Sequence, residues 1–508
     1  MAPHAPSPTF PHRPLARRHL LQGLAVVAAS SVLSGCGATL VRAVKSSTGV
    51  QPGTQLTPQP PPTGAITAAS LTVAATAAGA FDANFLGLAY EKQSLQTPLL
   101  SANADLIGLF RRLGPGVLRL GGASVDQSVW TANGPGRTPG QIAPPDVTSL
   151  AAFLRKTGWS CIYGINLGGS ATGATTPALA AAEGAYVAQQ LGSALLGIEL
   201  GNACETYGSS FYAGNWSVEI FEALWQQYRS AIVAVTPAAP FAGPAAASNL
   251  DAWTLPFGEY VTSNQISLLT QQISRGTAST ATLEDLLSPN SALTAELLTL
   301  HYGAQSIGVP FRLDAVSSYD DGGAPGISNA YASALWAIDT TFQTALAGAS
   351  GLNFTSGGQQ PSAVITDSSG QILAPQPAFY GLLLASMAGT GTLLNTQLSA
   401  RSLNVTAYAL QSSAGMSLML VNKDATQNLD VRITLPQTMS TATLQQMTQL
   451  SSGATAPSLA ALSSITIQGA TVATDGAFEP SAAYALTLTC QQLSCYVPAL
   501  SAVLIQLT

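Results

Sequence analysis

Few residues in this chain can transfer protons, attack carbon or hold a metal, and their spacing is the first guide to its chemistry. Among 508 residues only 24 are Asp or Glu, 18 are Lys or Arg and 4 are His. His4, His12 and His19 lie near the N-terminus, so His301 alone serves the rest of the chain. A Ser-His-Asp triad can form only through that residue, and a multi-histidine metal site is excluded. No metal or cofactor is expected. The acids that follow apolar runs are Glu91, Glu205, Asp314, Asp320 and Asp321. Pairs of such carboxyls do general acid and base work. With 8 % charged residues and a net charge of −6, the chain offers no basic face for nucleic acid.

The elements that must position these groups are legible as short apolar runs alternating with helical patterns between residues 85 and 390. The expected strands are Phe85–Tyr90, Gly116–Leu120, Cys161–Leu167, Leu196–Leu200, Pro240–Gly243, Leu297–Tyr302, Pro310–Ala315 and Gly351–Phe354. Continuous apolar runs suit strands buried on both faces. Leu106, Leu109, Phe110 and Leu113, like Tyr331, Leu335, Ile338 and Phe342, recur at helical spacing. Eight strands with helices between them predict an α/β fold, a (β/α)8 TIM barrel over 85–390, with its site at the C-terminal strand ends. Beyond 390 the period becomes two, as in Leu429-Asp-Val-Arg-Ile-Thr-Leu435, which predicts a C-terminal antiparallel β-sandwich over 391–508. A strand within 67–84 is expected to join it.

The N-terminus reads as an export signal. Arg17 and Arg18 precede an apolar run from Leu20 to Leu33, in a pattern that resembles the twin-arginine signal. Leu33-Ser-Gly-Cys36 resembles a bacterial lipobox, which implies lipidation of Cys36 and a protein anchored at the cell envelope through residues 1–36. Residues 37–66, rich in Pro, Thr and Gly, read as a flexible tether. Cys490 and Cys495 flank Gln-Gln-Leu-Ser between two alternating runs, so a disulfide across a hairpin tip is expected. Cys161 and Cys204 are expected to be separate, buried and reduced.

Several segments together resemble glycoside hydrolase family 79, the β-glucuronidase and heparanase group. They are Phe85-Leu-Gly-Leu-Ala-Tyr-Glu91, Val117-Leu-Arg-Leu-Gly-Gly122, Ile198-Glu-Leu-Gly-Asn202, His301-Tyr302, Ala332-Ser-Ala-Leu-Trp-Ala-Ile-Asp339, Gln376-Pro-Ala-Phe-Tyr-Gly381 and Leu420-Val-Asn-Lys-Asp424. The resemblance implies a retaining glycosidase, with an acid/base Glu after the fourth strand and a nucleophile Glu at the end of the seventh. Such hydrolysis needs two carboxyls about 5–5.5 Å apart. Here Ala203 occupies the acid/base slot of Gly201-Asn-Ala-Cys-Glu205, and Ala315 the nucleophile slot of Arg312-Leu-Asp-Ala315. Ala123, Ala245 and Ser317 stand where the family usually carries Asn, Asp and Asn.

Strand alternation turns Asp314 towards the helices, away from the slot beside it. Glu205 and Asp320 are the candidate substitute carboxylates. Tyr90, Glu91, Asn202, His301, Tyr302 and Tyr319 are the expected substrate contacts, and Arg119 is expected to be a structural, core-facing arginine. The reading is a lipid-anchored, catalytically degenerate glycoside-hydrolase-like protein that binds a glycan or a protein. One alternative is an active glycosidase with relocated carboxylates; the other is a purely structural surface lipoprotein.

Overall fold

The computed structural model describes residues 56–101, 103–450, 452–454 and 456–508. The export signal, Cys36 and most of the tether lie outside the described residues. The eight barrel strands are Leu86–Glu91, Val117–Gly121, Ser160–Ile165, Leu195–Leu200, Ala242–Ala246, Leu268–Ser274, Phe311–Ser317 and Leu352–Thr355. They pair in parallel in chain order except between the fourth and fifth, and the eighth pairs with the first. Ile198 N donates to Pro240 O at 2.9 Å, linking the fourth strand to the approach of the fifth. The (β/α)8 expectation therefore holds, with helices such as Ala104–Leu113, Pro144–Thr157 and Tyr331–Leu346 outside the strands.

One strand was expected in the wrong place. Leu297–Tyr302 lies inside a helix, Ser291–Ile307. The Asn290 side chain caps its N-terminus by accepting from Leu293 N, and Gly308 ends it in a left-handed conformation at φ 72°. Leu293, Leu297, Leu300 and Ala304 are its buried positions, spaced three and four apart as a helix requires. The sixth strand is Leu268–Ser274, in which Leu268 to Gln271 are buried and the C-terminal half is more open. Its Thr-Gln-Gln centre hides it from a search for apolar runs.

The C-terminal region is one large curled sheet, antiparallel except for one pairing. The strand Ile66–Phe81 pairs antiparallel with Gly391–Ser399 and parallel with Asn428–Thr434, so the segment before the barrel does complete it. Alternation divides its faces: Leu429, Val431 and Ile433 are buried, while Asp430 and Arg432 are exposed. The same alternation corrects the disulfide. Leu493, Cys495 and Val497 of the strand Gln492–Val497 are buried, and Cys495 is a free thiol pushed up to about 12 by burial. It therefore does not bridge Cys490. Cys161 and Cys204 are free and buried as expected. Sheet and barrel are joined by polar contacts: Asp339 accepts from Lys423 Nζ, Thr406 Oγ1 and Tyr408 Oη, and Tyr331 Oη donates to Leu500 O at 2.9 Å.

Candidate functional site

The barrel interior carries a charged layer below its mouth. Arg119, on the second strand, donates from Nε to Glu199 Oε2 of the fourth at 2.8 Å. Its Nη2 lies 2.8 Å from Asp314 Oδ2 of the seventh and donates to Asn202 Oδ1 at 3.0 Å. Arg119 is 1 % exposed; Glu199 and Asp314 are at 0 %. Burial opposes the guanidinium charge, but Asp314 and Glu199 outweigh it and hold the Arg119 pKa above its ordinary value. Burial, followed by the neighbouring Glu199, pushes the Asp314 carboxyl well above the carboxylate range despite Arg119. Arg119 is thus the structural arginine that its apolar strand implied.

Asp314 contradicts the expectation that it faces the helices. The register against the sixth strand shifts between Leu313, opposite Gln271, and Ala315, opposite Gln272. Asp314 is the extra residue of that bulge, which breaks simple alternation. It turns to Arg119, while Ala315 lines the cavity above.

At the fourth strand end, Asp126 fixes the loop. Its carboxylate accepts from Leu167 N and Gly168 N at 2.9 Å, Asn202 N at 3.2 Å and Tyr207 Oη at 2.6 Å. Asn202 Oδ1 then accepts from Arg119 Nη2, Gly122 N and Gln272 Nε2, each at 3.0 Å. It ties the second, fourth and sixth strand ends together and is a positioning group. Ala203 is left-handed, at φ 47° and ψ 50°, and its N donates to Ala245 O at 3.0 Å. Glu205 does not enter the mouth. Its Oε1 accepts from Ala247 N at 2.8 Å and Ser248 Oγ at 3.1 Å, so it braces the loop after the fifth strand. Burial raises its pKa, and Oε2 has no hydrogen-bond partner among the described residues.

These elements frame a cavity of about 310 Å³ at the C-terminal strand ends. Its wall includes Tyr90, Glu91, Arg119, Gln272, Ala315, Ser317, Tyr319, Asp320, Asp321, Thr355 and Gln360. Glu91 Oε2 accepts from Ser124 N at 2.9 Å and from the Ser124 hydroxyl. Gly122 makes room for it: at φ 76°, a Cβ there would lie 2.1 Å from Glu91 Oε1. Asp320 Oδ1 accepts from Ala278 N at 2.7 Å. Tyr90 is buried with its ring 6.1 Å from that of Phe110 on the helix outside the strand, and its hydroxyl lies beside the Ser356 side chain.

Of the expected contacts, Tyr90, Glu91 and Tyr319 reach the cavity wall, as does the candidate substitute carboxylate Asp320, though the Tyr319 hydroxyl donates to Asp285 Oδ2 at 2.7 Å, away from it. Asn202 lies beside the wall. His301 and Tyr302 do not take part. The His301 ring lies 6.5 Å from Phe311, at the start of the seventh strand, and Tyr302 is 65 % exposed on its helix. Gln272 and Ser274 were missed because the sixth strand was misplaced; the polar Gln271-Gln272 pair between Leu269 and Ile273 was the available signal.

The architecture is shared with known enzymes, although no protein-family model and no curated protein sequence matches the chain. A 4-O-α-L-rhamnosyl-β-D-glucuronidase from Fusarium oxysporum, solved with Rha-GlcA, superposes with a TM-score of 0.71 at 16 % identity, covering 86 % of this chain and 100 % of that one. A family 51 α-L-arabinofuranosidase from Bifidobacterium longum superposes with a TM-score of 0.63 at 13 % identity over 87 % and 99 % of the two chains. A family 44 xyloglucanase from Paenibacillus polymyxa gives 0.60 at 11 % identity over 87 % and 100 %. The fold is that of barrel glycoside hydrolases.

Proposed function

We propose that this chain is a carbohydrate-binding protein built on a family 79-like glycoside hydrolase scaffold and no longer competent for retaining hydrolysis. The observation that carries the reading is the pair of alanines at the strand ends. A methyl group at Ala315 borders the cavity where the resemblance puts the nucleophile, Ala203 holds the acid/base slot, and Glu205 is tied to Ala247 and Ser248. A retaining mechanism needs a carboxyl on each side of the glycosidic bond. Loss of a positioned general acid alone costs roughly 10²–10⁴-fold. Polar cavity groups from several strand ends support retained sugar binding. The twin-arginine and lipobox patterns support export and attachment of the chain to a bacterial envelope through lipid on Cys36.

One observation favours a second reading, an active glycosidase with relocated carboxylates. Glu205 has a raised pKa and an unpartnered oxygen, as a general acid would. Turnover of aryl β-glycosides, beginning with the β-glucuronide, separates the two. An activated aryl leaving group needs little protonation, and azide in the space beside Ala315 can displace it to give a glycosyl azide. We expect no turnover without azide. Turnover without azide that is lost in Glu205→Gln or Asp320→Asn overturns the degenerate reading.

A further inference from the structure

Resting on the carbohydrate-binding reading, we propose that the ligand is an uncharged oligosaccharide chain, which leaves the barrel mouth over the ends of the sixth and seventh strands and runs to the C-terminal sheet. Two further cavities lead that way. One of about 80 Å³ lies between those strand ends and the helices Ser291–Ile307 and Tyr331–Leu346. Another, of about 410 Å³, lies where the helices Leu283–Leu287 and Tyr331–Leu346 meet residues 402–406 of the sheet. The cavities adjoin. Ile273, Ser274 and Ser317 border both the mouth and the small cavity, and Ser274 is exposed, so the rim between them is open to solvent. Arg275, Asn290, Leu293, Trp336 and Thr340 border both the small cavity and the junction cavity. The path is therefore longer than the mouth cavity alone, as a chain of sugars requires.

The chemistry of the junction cavity suits the same ligand. Its wall combines the buried Leu286, Leu287, Leu293 and Trp336 with the amide of Asn290 and the hydroxyl of Ser402. A sugar ring presents apolar C–H faces and a rim of hydroxyls, so it meets both kinds of surface. At about 410 Å³ the cavity falls within the roughly 300–1,000 Å³ usual for ligand sites. The two cations in the wall, Arg275 and Lys423, are already committed. Arg275 donates from Nε to Asp285 Oδ2 at 3.2 Å and from Nη2 to Ser288 Oγ at 2.8 Å, and Lys423 Nζ donates to Asp339 Oδ2. Neither is spare for an anionic chain, and an anion buried without a partner is costly. The cavity is also preformed. Asn404 Nδ2 donates to Leu287 O at 2.9 Å, and this bond, like that of Lys423 to Asp339, runs from the sheet to the barrel. A ligand entering it has little ordering of the wall to offset.

The test uses the full chain and β-1,4-linked gluco-, manno- and xylo-oligosaccharides of one to five units, with oligogalacturonides of the same lengths beside them. Affinities are measured by calorimetry or ligand-observed NMR. In a neutral series that binds, affinity should rise roughly tenfold or more from the single sugar to the tetramer. Ser402→Trp, from the sheet, and Glu284→Trp, from the barrel, each narrow the junction cavity at an exposed position. In either variant the tetramer should fall to within about twofold of the single sugar, whose own affinity stays unchanged. Affinity independent of length, or a length gain that survives in a folded variant, overturns the path and leaves sugar binding at the mouth standing. An oligogalacturonide that gains as much with length overturns the uncharged assignment. Failure of every sugar to bind overturns the carbohydrate-binding reading, and this inference with it.

Discussion

Replacing Arg119 by Met removes the cation that holds the barrel's buried acids together, and its cost follows from the geometry. Arg119 contacts Glu199 and Asp314 at 2.8 Å each, and neither acid is exposed to water. Deleting one partner of a buried ion pair costs about 3–5 kcal/mol, because the remaining charge has no solvent to replace it. Asp314, pushed up by burial and by Glu199, can relieve part of the penalty by holding a proton, which leaves Glu199 as the main uncompensated charge.

The pH dependence has a definite sign. A carboxyl whose folded pKa is raised contributes stability that is fully present below its unfolded pKa and lost as pH rises through the folded one. Removing Arg119 takes away the interaction that lowers Asp314, so more stability is lost as pH rises. Urea unfolding followed by tryptophan fluorescence should give a loss of about 3–5 kcal/mol near pH 7, growing as pH rises through the folded pKa of Asp314. Adding Glu199→Gln and Asp314→Asn to Arg119→Met should recover much of it. A loss below about 1 kcal/mol, or one independent of pH, would mean that Arg119 is not committed to the buried acids and is available to a ligand anion.

Other expectations come from single positions. Ala203→Gly should stabilise the chain by about 0.5–1 kcal/mol in thermal or urea unfolding, because glycine relieves the φ of 47°. Gly122→Ala should cost at least ~2 kcal/mol and weaken sugar binding together, since its Cβ would overlap the Glu91 carboxylate; titration of the folded variant checks the second effect. Lys92→Met should lose about 3–5 kcal/mol in urea unfolding, because Lys92 and Glu183 form a buried pair at 2.7 Å. Glu205→Gln should leave sugar affinity within about twofold, since Glu205 contacts Ala247 and Ser248 and not the cavity; a larger loss in a binding titration would place it in the site.

What was legible in the sequence followed the strength of the local pattern. Strands such as Val117–Gly121 and Ser160–Ile165 are largely apolar because both faces are buried, and they were placed within one or two residues. The sheet strands showed their alternation directly, as in Leu429, Val431 and Ile433. The sixth strand was lost because its end faces a polar mouth, so Gln271 and Gln272 replace the apolar residues of a buried run. With it went the placement of His301, whose helix carries an apolar face that a short window does not distinguish from a strand.

Ala315, Tyr90 and Glu91 were found at the cavity because the ends of well-patterned strands were fixed by their flanks. Asp314 was turned the wrong way because a bulge is a property of pairing with a neighbour and leaves no period in its own strand. The Cys490–Cys495 bridge failed for a related reason: spacing suggested a hairpin tip, while the pleat buries Cys495 between Leu493 and Val497.

The central claim is that the scaffold still holds sugar at the barrel mouth without cleaving it. The most direct measurement is binding and turnover in the same sample: the full chain is titrated with aryl β-glycosides while free aryl alcohol is recorded in the absence of azide. Saturable binding, weakened by Gly122→Ala, with release at the uncatalysed rate is the expected result. Release above that rate, in proportion to protein and without azide, would contradict it.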